Sequence, residues 1–471
     1  MRARFRGARI PADLEPISPR HFRWSYPLSN AAPSPPGALP VLGHIKTALL
    51  SPTELLAEFE RLAYRHGPIV RLQFGALTFH LISSPELVQE VLSHRKRFNK
   101  EFRSAYSIRL VAGTGLLTNQ GDSWLSQRRI AQPVFGRARI DGFARSMDEI
   151  ARASVESWRP GVRDLHADLM ELTLQVIAQT MLSIDVGQVA HRLRDAITFV
   201  LAEVDRRLNA VVQVPLSIPT PQNRRLEAAV LALDDVVFDA IEARRKQPPK
   251  DDLLGAWMAA RDADTGAKMT DEQLRDEVMT VFLAGHETTA NLLSWTMHLL
   301  ARHPETQAQV VSELEEARGR GLTPANQTQQ MPFMEQVLKE SMRLFPPAYV
   351  MARSPITDET LGGYHIPARS VVVISPWLMH RHRDHWEQPA RFDPSRFEGK
   401  DPSRFLYLPF GAGPRICIGN HFAMMEAKLV LSAILSRFRI EALSDEPPEL
   451  LPQVTLRPKG GMKLRLVERP G

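Results

Sequence analysis

The chain has 471 residues, of which 44% are hydrophobic and 24% charged, and Lys and Arg outnumber Asp and Glu by 59 to 53. A net charge of +6 with no dense basic stripe or motif excludes nucleic-acid binding, and a single cysteine excludes a disulfide framework. No apolar run reaches the ~18–20 residues that a membrane-spanning helix needs, so the expectation is a cytoplasmic protein without a transmembrane anchor.

Residues 1–34 are rich in Arg and Pro and read as a disordered tail. No composition break or Gly/Ser linker divides the rest of the chain, so residues 35–471 are expected to form one unit. Pro35-Pro36-Gly37 and Pro40-Val41-Leu42-Gly43 make a stiff, turn-rich entry. Apolar positions at Leu55, Leu56, Phe59, Leu62 and Ala63 predict a helix over 52–66 that stops at Gly67. Ile69–Phe74 and Leu77–Ile82 read as strands joined by Gly75-Ala76, a hairpin, and Pro85–Ser93 returns to helix. Residues 99–120 read as an irregular loop. A helix then starts at Gly121-Asp122-Ser123 and carries Trp124 and Arg128 on one face. Residues 140–260 read as successive amphipathic helices broken near Pro215–Pro221.

Thr270-Asp271-Glu272-Gln273 is a capping box. It opens a helix predicted to run to about His303, before Pro304. About 33 residues at ~1.5 Å each span roughly 50 Å, enough to cross a domain. Its middle reads Ala284-Gly285-His286-Glu287-Thr288-Thr289 within a largely apolar stretch. Glycine inside a helix costs about 1 kcal/mol against alanine. An unpartnered buried glutamate costs more. A core helix that keeps both has a chemical reason to do so.

Glu340 and Arg343 share a face of a later helix, and Val371–Ser375 reads as a buried strand. His380-Arg381-His382 has a metal-like look, but two histidines without further ligands read as a polar surface. The only cysteine lies in Phe410-Gly411-Ala412-Gly413-Pro414-Arg415-Ile416-Cys417-Ile418-Gly419. Glycines let this backbone turn tightly and approach a flat group closely. Asn420–Phe438 reads as a helix, so Cys417 lies just ahead of a helix N-terminus, where a thiolate is favoured over a thiol.

Phe-x-x-Gly-x-Arg-x-Cys-x-Gly resembles the haem-binding loop of the cytochrome P-450 superfamily at Phe410, Gly413, Arg415, Cys417 and Gly419. Ala284-Gly285-x-Glu287-Thr288-Thr289 is similar to its oxygen-activation motif. Glu340-x-x-Arg343 with Arg396 of Pro394-Ser395-Arg396-Phe397 is similar to its Glu-x-x-Arg motif and third member. The resemblance covers roughly residues 35–465. It implies a mostly α haem-thiolate fold with a small β-rich part and a haem b whose iron is ligated by Cys417. The resemblance assigns Trp124, Arg128, Arg353 and Arg415 to the propionates, and Phe410, Gly411 and Gly419 to the haem loop. Ala284 and Gly285 are implied to border the haem, with Gly285 making room over it. Glu340, Arg343 and Arg396 are implied to be structural.

The implied reaction is monooxygenation with O2, protons being relayed through Glu287 and Thr288. No reductase segment is present in the sequence, so electrons are expected from a separate ferredoxin or flavodoxin-type donor with its NAD(P)H reductase. Arg128, Arg129, Arg137 and Arg139 fit an acidic partner. The expected pocket residues Leu283, Ala284, Ala348, Val350 and Met351 carry no charge, which points to an apolar substrate such as a carotenoid, terpenoid or fatty acid. A monomer is expected. The rival readings are a peroxide-using or isomerising haem-thiolate enzyme and a non-catalytic haem-binding module.

Overall fold

The computed structural model of the chain describes residues 30–470, apart from 40–41, 102–104, 185–189, 210–213, 249, 251, 262–265, 267 and 400. The first 29 residues of the expected tail lie outside the described residues. Chain packing is already under way ahead of residue 35, since Ala31 bridges to His365 and Ala32 is buried.

The chain begins with α1 (Ile45–Ala48), α2 (Pro52–His66), β1 (Ile69–Phe74), β2 (Leu77–Ile82), α3 (Pro85–Ser93), β3 (Phe98–Asn99), α4 (Ala105–Ala112), α5 (Gly121–Ala131) and α6 (Arg137–Glu156). It continues through β4 (Gly161–Asp164), α7 (Leu165–Met181), α8 (Ala190–Asn209), α9 (Pro221–Arg245), α10 (Leu253–Ala259), α11 (Asp271–Arg302), α12 (Pro304–Gly319), α13 (Pro324–Gln329) and α14 (Pro332–Leu344). It ends in β5 (Met351–Pro355), β6 (Glu359–Leu361), β7 (Tyr364–Ile366), β8 (Val371–Ile374), α15 (Pro376–Met379), α16 (Asn420–Arg437), β9 (Phe438–Glu441), β10 (Leu450–Pro452), β11 (Leu456–Pro458) and β12 (Lys463–Glu468).

The predicted hairpin forms, with Phe74 opposite Leu77 and Ile69 opposite Ile82. It is one edge of a five-stranded sheet ordered β1-β2-β8-β5-β3, in which β2 and β8 run parallel. The all-apolar run of β8 fits its central place, since all four residues are buried. A second sheet, β4-β12-β9, joins the middle of the chain to its end.

α11 is the axis of the fold. Thr270 and Gln273 form the expected reciprocal cap. The helix packs against α7, α9, α14 and α16, so its residues are buried on several faces. Near its C-terminal end Trp295 stacks on Phe345, with ring centroids 4.3 Å apart. α9 starts with Pro221 in its first turn and Thr220 as its cap, which explains why the proline-rich break ends there.

The expected irregular loop over 99–120 is corrected. It contains α4, whose Val111 and Ala112 are fully buried. Eight residues running straight into Gly113 are too few for a helical period to stand out. β4 lies within the stretch expected to be purely helical. Its partner β12 is some 300 residues away, a pairing no local pattern announces.

Candidate functional site

The cysteine loop is a set of tight turns. Gly413 has a φ of 72° and a Cβ there would stand 2.2 Å from the Leu92 carbonyl oxygen at the end of α3, so the loop presses directly onto that helix. The Cys417 N–H donates to Phe410 O at 2.8 Å and closes the loop. Arg128 of α5 donates to Ile416 O at 2.9 Å, so it holds the loop backbone beside the sulfur. Gly419 is the N-cap of α16, which places Cys417 at that helix end as expected.

The sulfur has accessible surface, yet protein surrounds it on most sides. Burial pushes the thiol pKa up, against the Gly419 N–H and the Arg128 charge that pull it down. The Gly419 N–H at the helix end favours the thiolate, as the spacing led one to expect, and burial opposes it.

Beside the loop stands a cluster of cations, Arg353 buried and Lys100 and Arg415 half-buried. Arg415 lies over the Trp124 ring, its Cζ 4.3 Å from the ring centroid. It donates to Asn119 O and to Gln120 Oε1 at 2.8 and 2.9 Å. Arg353 is 6% exposed and donates to Ala352 O. Lys100 donates to Leu117 O at 3.2 Å. Burial pushes Arg353 down to about 10. Burial, with Arg353 and other arginines nearby, pushes Arg415 down to about 9. Lys100 is held well below the usual lysine range by burial and by Arg353 and Arg415.

Among the described residues the hydrogen-bond partners of these three cations are carbonyl and amide oxygens, not carboxylates. Mutually repelling, partly desolvated cations favour an anionic guest. A group with two carboxylates and a thiolate-seeking iron fits this donor set. Sequence reading missed Lys100, which lies in no motif; only its place beside the covering loop marks it. Trp124, Arg353 and Arg415 are brought together as expected. Arg128 is close enough to act on the charge of Arg415, while its own Nη1 is bonded to Ile416 O.

In mid-α11, Ala284 is exposed and Thr288 half-buried, one turn apart, between residues that are buried on either side. This is the accessible face of an otherwise enclosed helix. Thr288 Oγ1 donates to Ala284 O at 2.7 Å. At Gly285, which was expected to make room over the haem, a Cβ would stand 1.9 Å from Ile177 Cδ1, so the glycine lets α7 pack closely on this helix.

Glu287 is fully buried and turned away from Thr288. It accepts hydrogen bonds from Thr455 Oγ1 and Arg457 Nε, while Asn291 Nδ2 donates to Thr455 Oγ1 at 2.9 Å. Burial works to raise its pKa, but the Arg457 charge and these bonds outweigh it and hold the carboxyl below its usual range. Thr455 and Arg457 are therefore part of the site, and no spacing linked them to Glu287 in the sequence.

Of the expected pocket residues, Met351 approaches the cysteine loop: its Cε lies 3.9 Å from where a Cβ of Gly411 would be. Phe410 and Leu283 pack into the main core. Ala348 is half-buried. Val350 packs on the small core of Phe59, Leu72 and Leu378.

Glu340 and Arg343 are both 0% exposed and form a two-pronged ion pair, with Arg396 Nε 3.4 Å from Glu340 Oε1. His380 is a linking residue, not a ligand. Its Nε2 accepts from Leu408 N at 2.9 Å, and burial pushes its pKa down to about 3, so it is neutral. Among the described residues no cluster of three His, Cys, Asp or Glu could hold a metal.

A mostly α body with one long buried helix, a glycine-rich loop presenting a lone cysteine and a pocket of unpaired cations define a haem-thiolate protein. The cytochrome P-450 family model matches residues 33–465, and the chain belongs to that family. It is 32% identical to cyclooctatin synthase of Streptomyces melanosporofaciens, over 92% of this chain and 95% of that protein. It is also 32% identical to pentalenene oxygenase of Streptomyces avermitilis, over 93% and 97% of the two chains. The same identity links it to cyclooctat-9-en-7-ol 5-monooxygenase of S. melanosporofaciens, over 86% and 88%. The chain is thus a monooxygenase that uses O2, a redox partner and a haem held through Cys417. No helix among the described residues is long and apolar enough to cross a membrane.

Proposed function

We propose that the enzyme inserts one oxygen atom into an apolar terpenoid skeleton, with electrons from a separate ferredoxin or flavodoxin-type donor. The observation that carries this reading is the accessible Ala284–Thr288 face of α11, a small apolar residue followed one turn later by a hydroxyl. Two relatives support the substrate class, since their names give pentalenene and cyclooctat-9-en-7-ol as the compounds oxidised.

Cys417 would hold the haem, which when bound would supply the activation of dioxygen. The chain's own groups do the rest. Lys100, Arg353 and Arg415 are the donors suited to the propionates, and Arg128 fixes the loop that carries the sulfur. Leu283, Ala284, Ala348 and Met351 exclude water from the reacting face. The Thr288 hydroxyl exchanges its bond to Ala284 O for one into the cleft and passes a proton there, and Glu287 replenishes it. Arg129 and Arg137 are exposed, which suits an acidic electron donor.

The test is an optical titration of the purified ferric protein with terpene hydrocarbons, carotenoids and fatty acids. A saturable shift from low to high spin with terpenes alone is the expected result. A shift only with fatty acids or carotenoids would overturn the terpenoid assignment.

A further inference from the structure

The turn that follows α4 is laid directly on α11. Thr114 donates to Asp276 Oδ2 from its N–H at 2.7 Å and from its hydroxyl at 3.2 Å, and Leu116 N donates to Glu277 Oε2 at 3.1 Å. Arg275 Nη1 donates to Val111 O at 2.7 Å and so holds the end of α4. Gln127 of α5 donates to Thr114 O at 2.9 Å. The approach is so close that a Cβ on Gly115 would collide with Thr280 Oγ1.

Beneath this turn two polar atoms are left over. Glu277 Oε1 and Thr280 Oγ1 are buried without a hydrogen-bond partner, Glu277 being 1% and Thr280 7% exposed. Thr173, Thr180, Thr288 and Thr296 each return their hydroxyl to the carbonyl four residues back, as helical threonines commonly do; Thr280 does not. Buried polar atoms left unpaired are costly and call for a partner. Burial, with the Asp276 charge, outweighs the Leu116 amide and raises the Glu277 pKa to about 7. In mildly acidic surroundings Glu277 is therefore a neutral acid. Since Oε2 is taken up by the Leu116 N–H, the proton belongs on Oε1.

Both residues lie on the stripe of α11 that reaches the cleft. Glu277 and Thr280 are three apart, which makes their side chains neighbours on the helix surface. Thr280 precedes Ala284 by four positions and Glu277 precedes it by seven, so all three share a face with Thr288. At ~1.5 Å per residue the polar pair stands about 6–11 Å along the helix from Ala284. A polycyclic skeleton can bridge that distance.

We propose that Thr280 and Glu277 determine specificity by taking a hydroxyl group already present on the terpenoid, at the end of the skeleton remote from the carbon oxidised. This rests on the reading of the enzyme as a terpenoid monooxygenase. The substrate hydroxyl accepts from the Glu277 acid and donates to Thr280 Oγ1, so one oxygen satisfies both buried atoms and holds the skeleton along α11. A hydrocarbon leaves both unpaired. The enzyme then acts after a step that sets oxygen on the skeleton, either a cyclisation closed by water or an earlier hydroxylation. Of the two relatives named for the compounds they oxidise, one is named for an alcohol and one for a hydrocarbon. In this chain Thr280 and Glu277 decide for the alcohol.

The experiment is a low- to high-spin titration of the ferric holoenzyme in mildly acidic buffer. The probes are matched hydrocarbon and alcohol pairs, cedrene with cedrol and abietadiene with abietadienol. The alcohol of at least one pair should bind the parent roughly ten-fold or more tighter than its hydrocarbon. T280V keeps the shape of the side chain and removes the hydroxyl. It should cut that preference several-fold and leave the Kd of the hydrocarbon nearly unchanged. E277Q keeps a donor and should retain the preference, whereas E277M should lose it. A role confined to seating the turn would weaken alcohol and hydrocarbon alike. If T280V fails to hold haem, T280A and E277M carry the comparison. Equal binding of both members of each pair by the parent would overturn the inference and leave the terpenoid reading standing. So would a preference that the threonine variant and E277M leave intact. No shift from any of the four compounds would overturn the inference together with the terpenoid reading.

Discussion

Ile177 of α7 occupies the space that a side chain at position 285 of α11 would need, its Cδ1 1.9 Å from where the Cβ would be. The two helices meet along much of their lengths, and the glycine sets how closely they approach. G285A should therefore destabilise the protein by ~1–3 kcal/mol of overpacking, reduced by up to ~1 kcal/mol of gained helix propensity. I177A alone should cost about 2–4 kcal/mol by opening a cavity. The double variant should be markedly more stable than the two costs added, because each change relieves the other. Denaturant unfolding of the four proteins decides this, and simple additivity would refute the packing account.

Lys100, Arg353 and Arg415 oppose folding until an anion joins them. K100M should stabilise the haem-free chain and weaken its hold on haem. A hydrogen bond between charged groups is worth ~1.5–3 kcal/mol, so haem transfer to an acceptor apoprotein should quicken roughly 10- to 100-fold. If K100M loses haem no faster than the parent, the lysine does not face the propionates.

Glu277 of α11 lies under the loop that follows α4, where its Oε2 accepts from Leu116 N at 3.1 Å. Burial raises its pKa to about 7, against the pull of that amide. The folded state thus holds a proton that the unfolded chain, titrating near its usual 4.5, has released. Stability from this group is complete below pH ~4.5 and is lost as pH rises to ~7, by up to ~3 kcal/mol. E277Q should remove that component, gaining on the parent between pH 5 and 7.5. Parallel stability curves for the two proteins across that interval would contradict it.

What could be read in advance was local or motif-borne. Gly75-Ala76 between alternating strands announces the first hairpin, Thr270 with Gln273 announces the start of α11, and the cysteine loop carries its own pattern. Arg457 and Lys100 were invisible because each acts on a residue its own neighbourhood does not mention: Arg457 meets Glu287 across 170 positions. Gly285 was read as serving the cofactor because its motif is known for that chemistry; its spatial neighbour, Ile177, lies on another helix. One influence on the thiol was hidden for a related reason. A helix end is visible in sequence, whereas the burial that opposes it is a property of the folded surroundings.

The Glu340–Arg343 pair shows how unequal three residues of one motif can be. Arg343 spends every donor. Nε and Nη2 reach the two oxygens of Glu340 at 2.6 and 2.7 Å. Nη1 donates to His380 O and Pro389 O, and Nη2 also to Arg391 O, at 2.9, 2.7 and 3.0 Å. The guanidinium therefore ties α14 to the chain that leads toward the cysteine loop. R343A leaves the buried Glu340 carboxylate with only the Asp393 N–H and Arg396, takes the donor from three carbonyls, and should cost about 3–5 kcal/mol. R343K keeps the charge but cannot span the fork, so it should recover only a minor part. Arg396 touches Glu340 at 3.4 Å and is bonded to Gln388 O at 3.1 Å, at the edge of the cluster. R396A should cost ~1 kcal/mol or less. Thermal unfolding of the three variants, with haem content measured alongside, checks the order. R396A as damaging as R343A would mean that the anchor is a triad of equals, not a fork with an accessory.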